Sequence, residues 1–250
     1  MSKETKKWWE EMSSYYQKES KIPIDIHYGP GAPNESVMNL LGNLKRKKIL
    51  EIGCGGAQCS IAMAKQGAIV TAIDISKEQL KFARNLAEKN NVKIKFYQGD
   101  IKNLHNIKTN SQDIIFSAWA LMYVNNLKSC FKEVYRVLKK RGIFIFSIPH
   151  PFYFSINPKT LRLRRSYFNV GKYIKEEKGK DGKIHKFVMY PYTINGLYDY
   201  LVASEFKIEK IIEPDSRKKY KGDPWYGLWE FKPKLMVKVP PTIIFKARKI

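Results

Sequence analysis

Cysteine, acidic residues and long apolar runs are all scarce in this 250-residue sequence. Its three cysteines, Cys54, Cys59 and Cys130, are too few for a disulfide framework, and none has a metal-ligand spacing to histidine or to another cysteine. No apolar run approaches the roughly 20 residues that span a bilayer, and the first twenty residues lack the apolar core of a signal peptide. The sequence therefore predicts a cytoplasmic protein without a membrane span, a metal site or structural disulfides.

The shortage of acidic residues leaves a strongly basic chain. Lysine and arginine number 46 against 23 aspartates and glutamates, which gives a formal net charge of +23. This balance suits a protein that binds nucleic acid or an anionic surface. A lysine-rich composition of the kind found in heat-adapted organisms explains it equally well. The content of 44% hydrophobic and 28% charged residues is typical of a globular chain rather than a disordered one.

From about residue 45 to residue 150 the chain alternates two hydrophobic periods. Strand-like segments are predicted at 48–52, 68–73, 92–97, 113–117 and 143–148. Helical spacing is predicted at 59–66, 77–90 and 128–139. Strands and helices that alternate at this spacing are typical of βαβ units, so the sequence predicts a parallel sheet with helices on both faces.

The segments on either side of this region lack its regular alternation of strands and helices. A helix from Trp8 to Tyr16 and a Gly/Pro-rich loop precede it, and a helix at 194–204 with strands at 206–212 and 242–249 ends the chain. Since neither a repeat nor a low-complexity linker divides the sequence, we predict one domain over residues 1–250. Its parts are an N-terminal cap (1–44), a core (45–150), an insertion (151–192) and a C-terminal part (193–250).

A glycine-rich turn, Glu51-Ile52-Gly53-Cys54-Gly55-Gly56-Ala57, follows the first predicted strand. Glycine permits positive φ and close approach of a ligand to the backbone. Asp74 ends the next strand, where a carboxylate can accept hydrogen bonds from both hydroxyls of a ribose. Asp100 follows the third strand, and Ile101 beside it can pack on a base. The Glu-x-Gly-x-Gly spacing differs from the Gly-x-Gly-x-x-Gly of dinucleotide sites.

These motifs resemble the class I S-adenosylmethionine-dependent methyltransferases over residues 45–150. The resemblance implies a Rossmann-like, doubly wound α/β fold: a seven-stranded, mostly parallel sheet with a final antiparallel strand, an N-terminal helical cap and an insertion after strand 5. It implies S-adenosylmethionine as cofactor, with its methionine part wrapped by the glycine loop; the family's third glycine is Ala57 here. The residues that we predict to hold the cofactor are Glu51, Gly53, Cys54, Gly55, Asp74, Ile75, Asp100, Ile101, Ser117 and Tyr28.

The methyl acceptor is expected beyond the fourth and fifth strands, near Ser117 to Tyr123 and Ser147 to Tyr153. His150 is the first candidate for a general base because imidazole titrates near neutral pH, and Tyr123 is the second. For both, a structural role in the core remains an alternative. Ser117-Ala118-Trp119-Ala120 lacks the Asn/Asp-Pro-Pro-Tyr/Phe of many amino-methylating members and is similar to the ubiquinone/menaquinone-biosynthesis type.

The insertion concentrates the positive charge. Residues 159–186 hold ten lysines and arginines against three acids, with aromatic residues interleaved, and 217–221 form a second basic cluster. Cationic side chains can contact the phosphates of a nucleic acid, and aromatic side chains between them can stack on its bases. We therefore predict methylation of RNA, either tRNA or rRNA. The alternatives are a small molecule such as a quinone, a lipid or another metabolite, and a binding module without activity. Some RNA and translation-factor methyltransferases need a small zinc-binding activator subunit, which is a further hypothesis here.

Overall fold

The computed structural model describes residues 1–178, 184–217, 223–228 and 230–250. Its strands are β1 (Lys48–Ile52), β2 (Ile69–Asp74), β3 (Ile94–Gln98), β4 (Gln112–Ala118), β5 (Leu138–Pro149), β6 (Tyr173–Lys178), β7 (Ile184–Met189), β8 (Phe206–Ile212) and β9 (Thr242–Lys249). Its helices are α1 (Lys3–Ser20), α2 (Glu35–Met38), α3 (Gln58–Lys65), α4 (Lys77–Lys89), α5 (Leu127–Val137), α6 (Pro151–Phe154), α7 (Ile194–Val202) and α8 (Pro233–Met236). A 3₁₀ turn covers Leu121–Tyr123.

Seven strands form one sheet in the order β3-β2-β1-β4-β5-β9-β8. The first five strands pair in parallel, and β9 is antiparallel to both β5 and β8. The predicted doubly wound sheet with a final antiparallel strand is confirmed. The chain order reverses between β1 and β4, and a crevice opens at the carboxyl ends of parallel strands at such a point.

Each central strand sends alternate residues to opposite faces of the sheet. In β1, Leu50 and Ile52 join the apolar cluster beneath α5 and α7, whereas Ile49 joins the cluster beneath α3. In β5, Phe144 and Phe146 face the first cluster and Ile145 faces the second. Both faces are therefore buried, as a parallel sheet covered by helices requires.

The predicted bounds of the last two strands agree with the structure, but two helices differ. α1 extends the predicted Trp8 to Tyr16 in both directions, starting after the N-cap Ser2 and ending where Lys21 adopts a left-handed conformation. α5 ends at Val137 rather than Lys139, because Leu138 is already extended and begins β5. No helix in the described part of the chain is long and apolar enough to cross a membrane.

Candidate active site

A cavity of about 260 Å³ lies over the carboxyl ends of β1, β2 and β4. We call it the chamber. Its floor is the glycine loop and the ends of these strands, and its roof is α1. Its remaining walls include residues of α6, strands β6 and β7, and Trp225, Glu230 and Phe231. Of the residues predicted to hold the cofactor, the chamber wall includes Glu51, Gly53, Cys54, Gly55, Asp74, Ile75 and Ile101.

The glycine loop turns sharply at Gly53, where φ is +71°. A Cβ at this position would lie 2.2 Å from the Cβ of Ala120. The loop amides of Gly53 and Cys54 both donate to the carbonyl of Ile73 at the end of β2, at 2.8 and 3.0 Å. Glycine is thus required for the backbone to pass beneath the segment after β4, and the loop is tied to the strand that carries Asp74.

Asp74 is the best-defined polar group of the chamber floor. Its Oδ2 accepts the backbone N–H of Gly55 at 2.9 Å, and its Oδ1 accepts that of Ser76 at 2.9 Å. Burial raises the pKa of Asp74, and these two N–H donors oppose the increase. A carboxylate offers about four lone-pair sites, so capacity remains for two further hydroxyl donors.

Glu51 lies deeper, at the end of β1, and is 3% exposed. Its carboxylate accepts the hydroxyl of Ser60 from α3. Burial raises its pKa to about 7 despite this hydrogen bond. Glu51 can therefore take or release a proton near neutrality, and a cationic group entering the chamber beside it would favour the ionised form.

Three other predicted cofactor residues, Ser117, Tyr28 and Asp100, are not part of the chamber wall. The Oγ of Ser117 is fully buried and donates to the carbonyl of Ile52 at 3.0 Å, which joins β4 to β1. Tyr28 is fully buried, with its hydroxyl bonded to Glu35 and its ring against Phe116. Both side chains serve the core instead of the chamber, because the Ser117 hydroxyl is bonded to a backbone carbonyl and the Tyr28 hydroxyl to a carboxylate.

Asp100 lies at the margin of the chamber. Its neighbours Gly99 and Ile101 line the wall, while its own carboxylate accepts from the amino group of Met1 and from the amide of Lys102. The adenine-side role of Asp100 stays a prediction.

The structure also corrects the placement of His150. The ring caps α6, where Nδ1 accepts the amide N–H of Phe152 at 3.2 Å, and Nε2 lies 2.7 Å from Oε1 of Glu213. His150 borders a separate surface hollow with Glu213 and Arg217, not the chamber. Both nitrogens are engaged in structural contacts, so this geometry does not support a role as general base. Tyr123, the other candidate, does line the chamber.

Helix α1 forms the roof through residues that the sequence analysis did not select. Gln17 donates to Oε1 of Gln79 at 2.9 Å and accepts from Gln58 at 2.7 Å, which joins α1 to the helices on both sides of the glycine loop. The carboxylate of Glu10 accepts the first amides of α4. The sequence did contain a signal for this roof, because large apolar residues recur there at helical spacing. In the structure they line the chamber: Trp8, Trp9, Met12, Tyr15 and Tyr16.

Aromatic side chains also line the chamber beside α1. Trp119 has φ of +56°, and its Nε1 donates to Thr242 at 3.1 Å. Its ring packs edge-on against Phe231, at 5.4 Å between centroids. Tyr123 meets Trp9 of the roof edge-on, at 5.8 Å. The other aromatic residues of this wall are Tyr153, Phe154 and Phe187.

Two charged residues, Glu230 and Lys175, interrupt the aromatic wall. The Glu230 carboxylate is held by both terminal nitrogens of Arg164, at 3.2 and 3.3 Å, and by Nζ of Lys175 at 3.2 Å. Burial would raise the pKa of Glu230, but the two cations outweigh it and hold the pKa below its usual range. Two of the ten insertion cations therefore face inward to a carboxylate rather than outward to a polyanion.

Residues 50–146 match the family model described as "Methyltransferase domain". The matched region begins in β1 and ends in β5, so it contains Glu51, the glycine loop, Asp74 and Asp100. Over these residues the chain carries a methyltransferase domain of the class I S-adenosylmethionine-dependent type. This confirms the resemblance drawn from the sequence, and S-adenosylmethionine is the cofactor that the domain implies.

Individual relatives extend over different parts of the methyltransferase chain. An uncharacterized protein of Haemophilus influenzae is 26% identical over 245 residues, covering 94% of this chain and 93% of its own. The curated methyltransferases that follow are matched over only 44–61% of their length, and five of them are ubiquinone biosynthesis O-methyltransferases.

Two solved structures illustrate the shared fold. An S-adenosylmethionine-dependent methyltransferase from Mesorhizobium loti has a TM-score of 0.64 at 24% identity and covers 85% of this chain and 95% of its own. A Haloferax volcanii methyltransferase, in complex with the Trm112 activator, has a TM-score of 0.67 at 12% identity and covers 98% of this chain and 97% of its own.

The chamber fits S-adenosylmethionine on its own chemistry. Asp74 retains acceptor capacity for ribose hydroxyls, and the carboxylate of Glu51 lies beside the loop predicted to wrap the methionine part. At Gly55, the position of a Cβ has only Oε1 of Gln79 within 4 Å, at 3.8 Å, so the loop borders open space there. Among the described residues, no cluster of three His, Cys, Asp or Glu could hold a metal ion.

Proposed function

We propose that this protein transfers a methyl group from S-adenosylmethionine to a small, largely apolar acceptor held inside the chamber. The observation that carries this proposal is the aromatic enclosure: α1 covers the chamber, and Trp119, Tyr123, Phe187 and Phe231 line its wall. Burial of a planar apolar molecule against such rings is favourable.

The insertion, residues 151–192, is the proposed acceptor-recognition segment. It contributes Tyr153 and Phe154 from α6, Lys175 from β6, and Phe187 and Met189 from β7. Thr5 of the roof donates to the carbonyl of Val188 at 3.0 Å, so the insertion and α1 close the chamber together. We further propose that the whole chain acts as one domain, because acceptor wall, roof and cofactor floor come from segments far apart in sequence.

When bound, S-adenosylmethionine supplies a methyl carbon that is already activated by its sulfonium. The protein then has to orient the acceptor, exclude water and, for a hydroxyl acceptor, accept a proton. Asp74 and Glu51 hold the cofactor side, while the aromatic wall orients the acceptor. The ubiquinone biosynthesis enzymes among the relatives methylate at oxygen, as their names state, which supports an apolar acceptor with a hydroxyl group.

RNA remains the second candidate because part of the insertion is both exposed and basic. Lys159, Arg162 and Lys172 are exposed, and Phe168 is 80% exposed. Lys180, Lys183, Lys218, Lys219 and Lys221 of the predicted basic clusters lie outside the described residues. An activator subunit belongs to this candidate, since the Haloferax volcanii neighbour is bound to one; full activity of a purified monomer would argue against it.

Incubation with methyl-labelled S-adenosylmethionine separates the two candidates. Total RNA and an organic-solvent metabolite extract are offered in parallel, and label is followed before and after ribonuclease treatment. Tyr123→Ala in the chamber is compared with Lys159→Glu/Arg162→Glu on the surface. We expect ribonuclease-resistant label in the extract, lost in Tyr123→Ala and retained in the surface variant. Ribonuclease-sensitive label that the charge reversal abolishes would contradict the proposal and favour RNA.

A further inference from the structure

His27 lines the chamber but has no role in the site described above. It stands in the loop between α1 and α2, and its ring is half-buried. The Nδ1 atom is fully buried and has no hydrogen-bond partner among the residues that the structure describes. Buried polar atoms in native proteins nearly always have a partner, so an orphaned ring nitrogen in a ligand cavity points to a ligand.

The loop holds this ring in place. The carbonyl of His27 accepts from Sγ of Cys59 at 3.8 Å, and the ring lies edge-on to Trp225 with 5.0 Å between centroids. Two residues on, a Cβ at Gly29 would lie 2.1 Å from Nε1 of Trp119, which shows how closely the loop follows the chamber wall. The backbone carbonyl of Pro30 accepts a hydrogen bond from the hydroxyl of Thr242 at 2.6 Å. With its backbone fixed on both sides, the loop keeps the imidazole at the chamber.

The contact with Cys59 also shows which part of the chamber His27 adjoins. Cys59 belongs to the first turn of α3, directly after the glycine loop. No side chain caps this helix, since its N-cap is Ala57. The first amides of an uncapped helix and the positive end of its dipole favour an anion. The His27 backbone therefore lies against the first turn of α3, and the imidazole and this turn both line the chamber, an arrangement suited to an oxyanion.

The geometry points to the carboxylate of the cofactor's methionine part as the partner of His27: we propose that an imidazole N–H donates a hydrogen bond to this carboxylate. Burial lowers the pKa of His27 to about 4, so the ring enters the complex as a neutral donor. A bound carboxylate favours the imidazolium form and shifts the pKa upward again.

Binding measurements with two adenosine ligands test this assignment without any methyl acceptor. S-adenosylhomocysteine carries the carboxylate, and 5′-methylthioadenosine lacks the amino-acid part. By calorimetry we expect His27→Phe to weaken S-adenosylhomocysteine binding about 10- to 100-fold, the range for a hydrogen bond to a charged group. The affinity for methylthioadenosine should stay within about twofold of the wild-type value. His27→Asn, which restores an N–H donor on a short side chain, should recover part of the loss.

Proton uptake provides a second readout. Near pH 5.5 the bound carboxylate should draw a proton onto His27, whereas the ligand's ammonium group favours proton release from Glu51, whose pKa is about 7. The dependence of the S-adenosylhomocysteine enthalpy on the ionisation enthalpy of the buffer should therefore show less net proton release in the wild type than in His27→Phe, where the release from Glu51 remains without the uptake by His27. Unchanged S-adenosylhomocysteine affinity in His27→Phe would overturn the proposal, as would an equal loss for both ligands. Lost turnover with intact affinity would overturn it as well and assign the ring to the acceptor.

Discussion

Replacement of Asp74 by alanine tests the cofactor site most directly. The carboxylate has two oxygens fixed by the amides of Gly55 and Ser76 and retains capacity for two ribose hydroxyls. Hydrogen bonds to a charged group contribute about 1.5–3 kcal/mol each, so the loss of two amounts to about 3–6 kcal/mol. Such a loss corresponds to roughly 10²- to 10⁴-fold weaker binding, and we expect Asp74→Ala to bind S-adenosylhomocysteine at or below the detection limit of calorimetry.

Asp74→Ala also leaves two backbone N–H groups without their acceptor, which destabilises the fold by about 2 kcal/mol or more. Asp113→Ala is the matched control, because Oδ2 of Asp113 likewise accepts a backbone amide, from Lys48, at the opposite end of the sheet. Thermal unfolding should show a lower Tm in both variants, whereas S-adenosylhomocysteine affinity should fall only in Asp74→Ala. Equal affinities in the two variants would refute the assignment of Asp74 to the cofactor.

Three other predictions concern Gly53 and Glu51 of the chamber floor and His150 of the separate surface hollow. Gly53→Ala combines a left-handed φ with a contact against Ala120, and we expect a loss of about 2–5 kcal/mol in the free energy of unfolding. The raised pKa of Glu51 means that the folded state binds its proton more tightly than the unfolded chain. Its contribution to stability is therefore full below about pH 4.5 and falls by about 3 kcal/mol as pH rises to about 7, a decrease that Glu51→Gln removes. His150→Ala should lower the free energy of unfolding by about 1–2 kcal/mol through the lost cap on α6, with S-adenosylhomocysteine affinity and turnover unchanged.

Each of these predictions has its own check. Gly171→Ala isolates backbone strain, because Gly171 has φ of +100° but, apart from its chain neighbours, no atom of the described residues lies within 4 Å of a Cβ there. A loss as large as that of Gly53→Ala would mean that the Ala120 contact is unimportant. Denaturant titrations of wild type and Glu51→Gln from pH 4.5 to 8 should diverge as described, and parallel curves would contradict the pKa argument. A fall in turnover of His150→Ala at unchanged Tm would restore the general-base hypothesis.

Local signals in the sequence were sufficient for the core of the fold. The period of two in the strands and of 3.6 in the helices depends on each segment's own residues, and so does the glycine turn that begins at Gly53. Asp74 could be placed because the end of a parallel strand next to a glycine turn is a fixed position in a βαβ unit. The bounds of α1 and α5 could not be read as closely, because Lys21 and Leu138 end these helices through their backbone conformation.

The part of the chamber proposed to hold the methyl acceptor could not be predicted from the sequence, because it forms through contacts between segments distant in sequence. His150 follows the fifth strand and Tyr28 lies in the Gly/Pro-rich N-terminal loop, yet Glu213 and Glu35 engage their side chains away from the chamber. Conversely, Glu230 carried no spacing signal and reaches the chamber only after folding.

The sequence by itself thus determined the nucleotide-binding half of this protein, because its motifs are local and their geometry follows from βαβ chirality and strand period. Only the tertiary structure decided that α1 and the insertion close an aromatic chamber over it. Those walls form through side-chain packing between segments more than 100 residues apart, and the basic residues that suggested a polyanion in the sequence are in part neutralised there by Glu230.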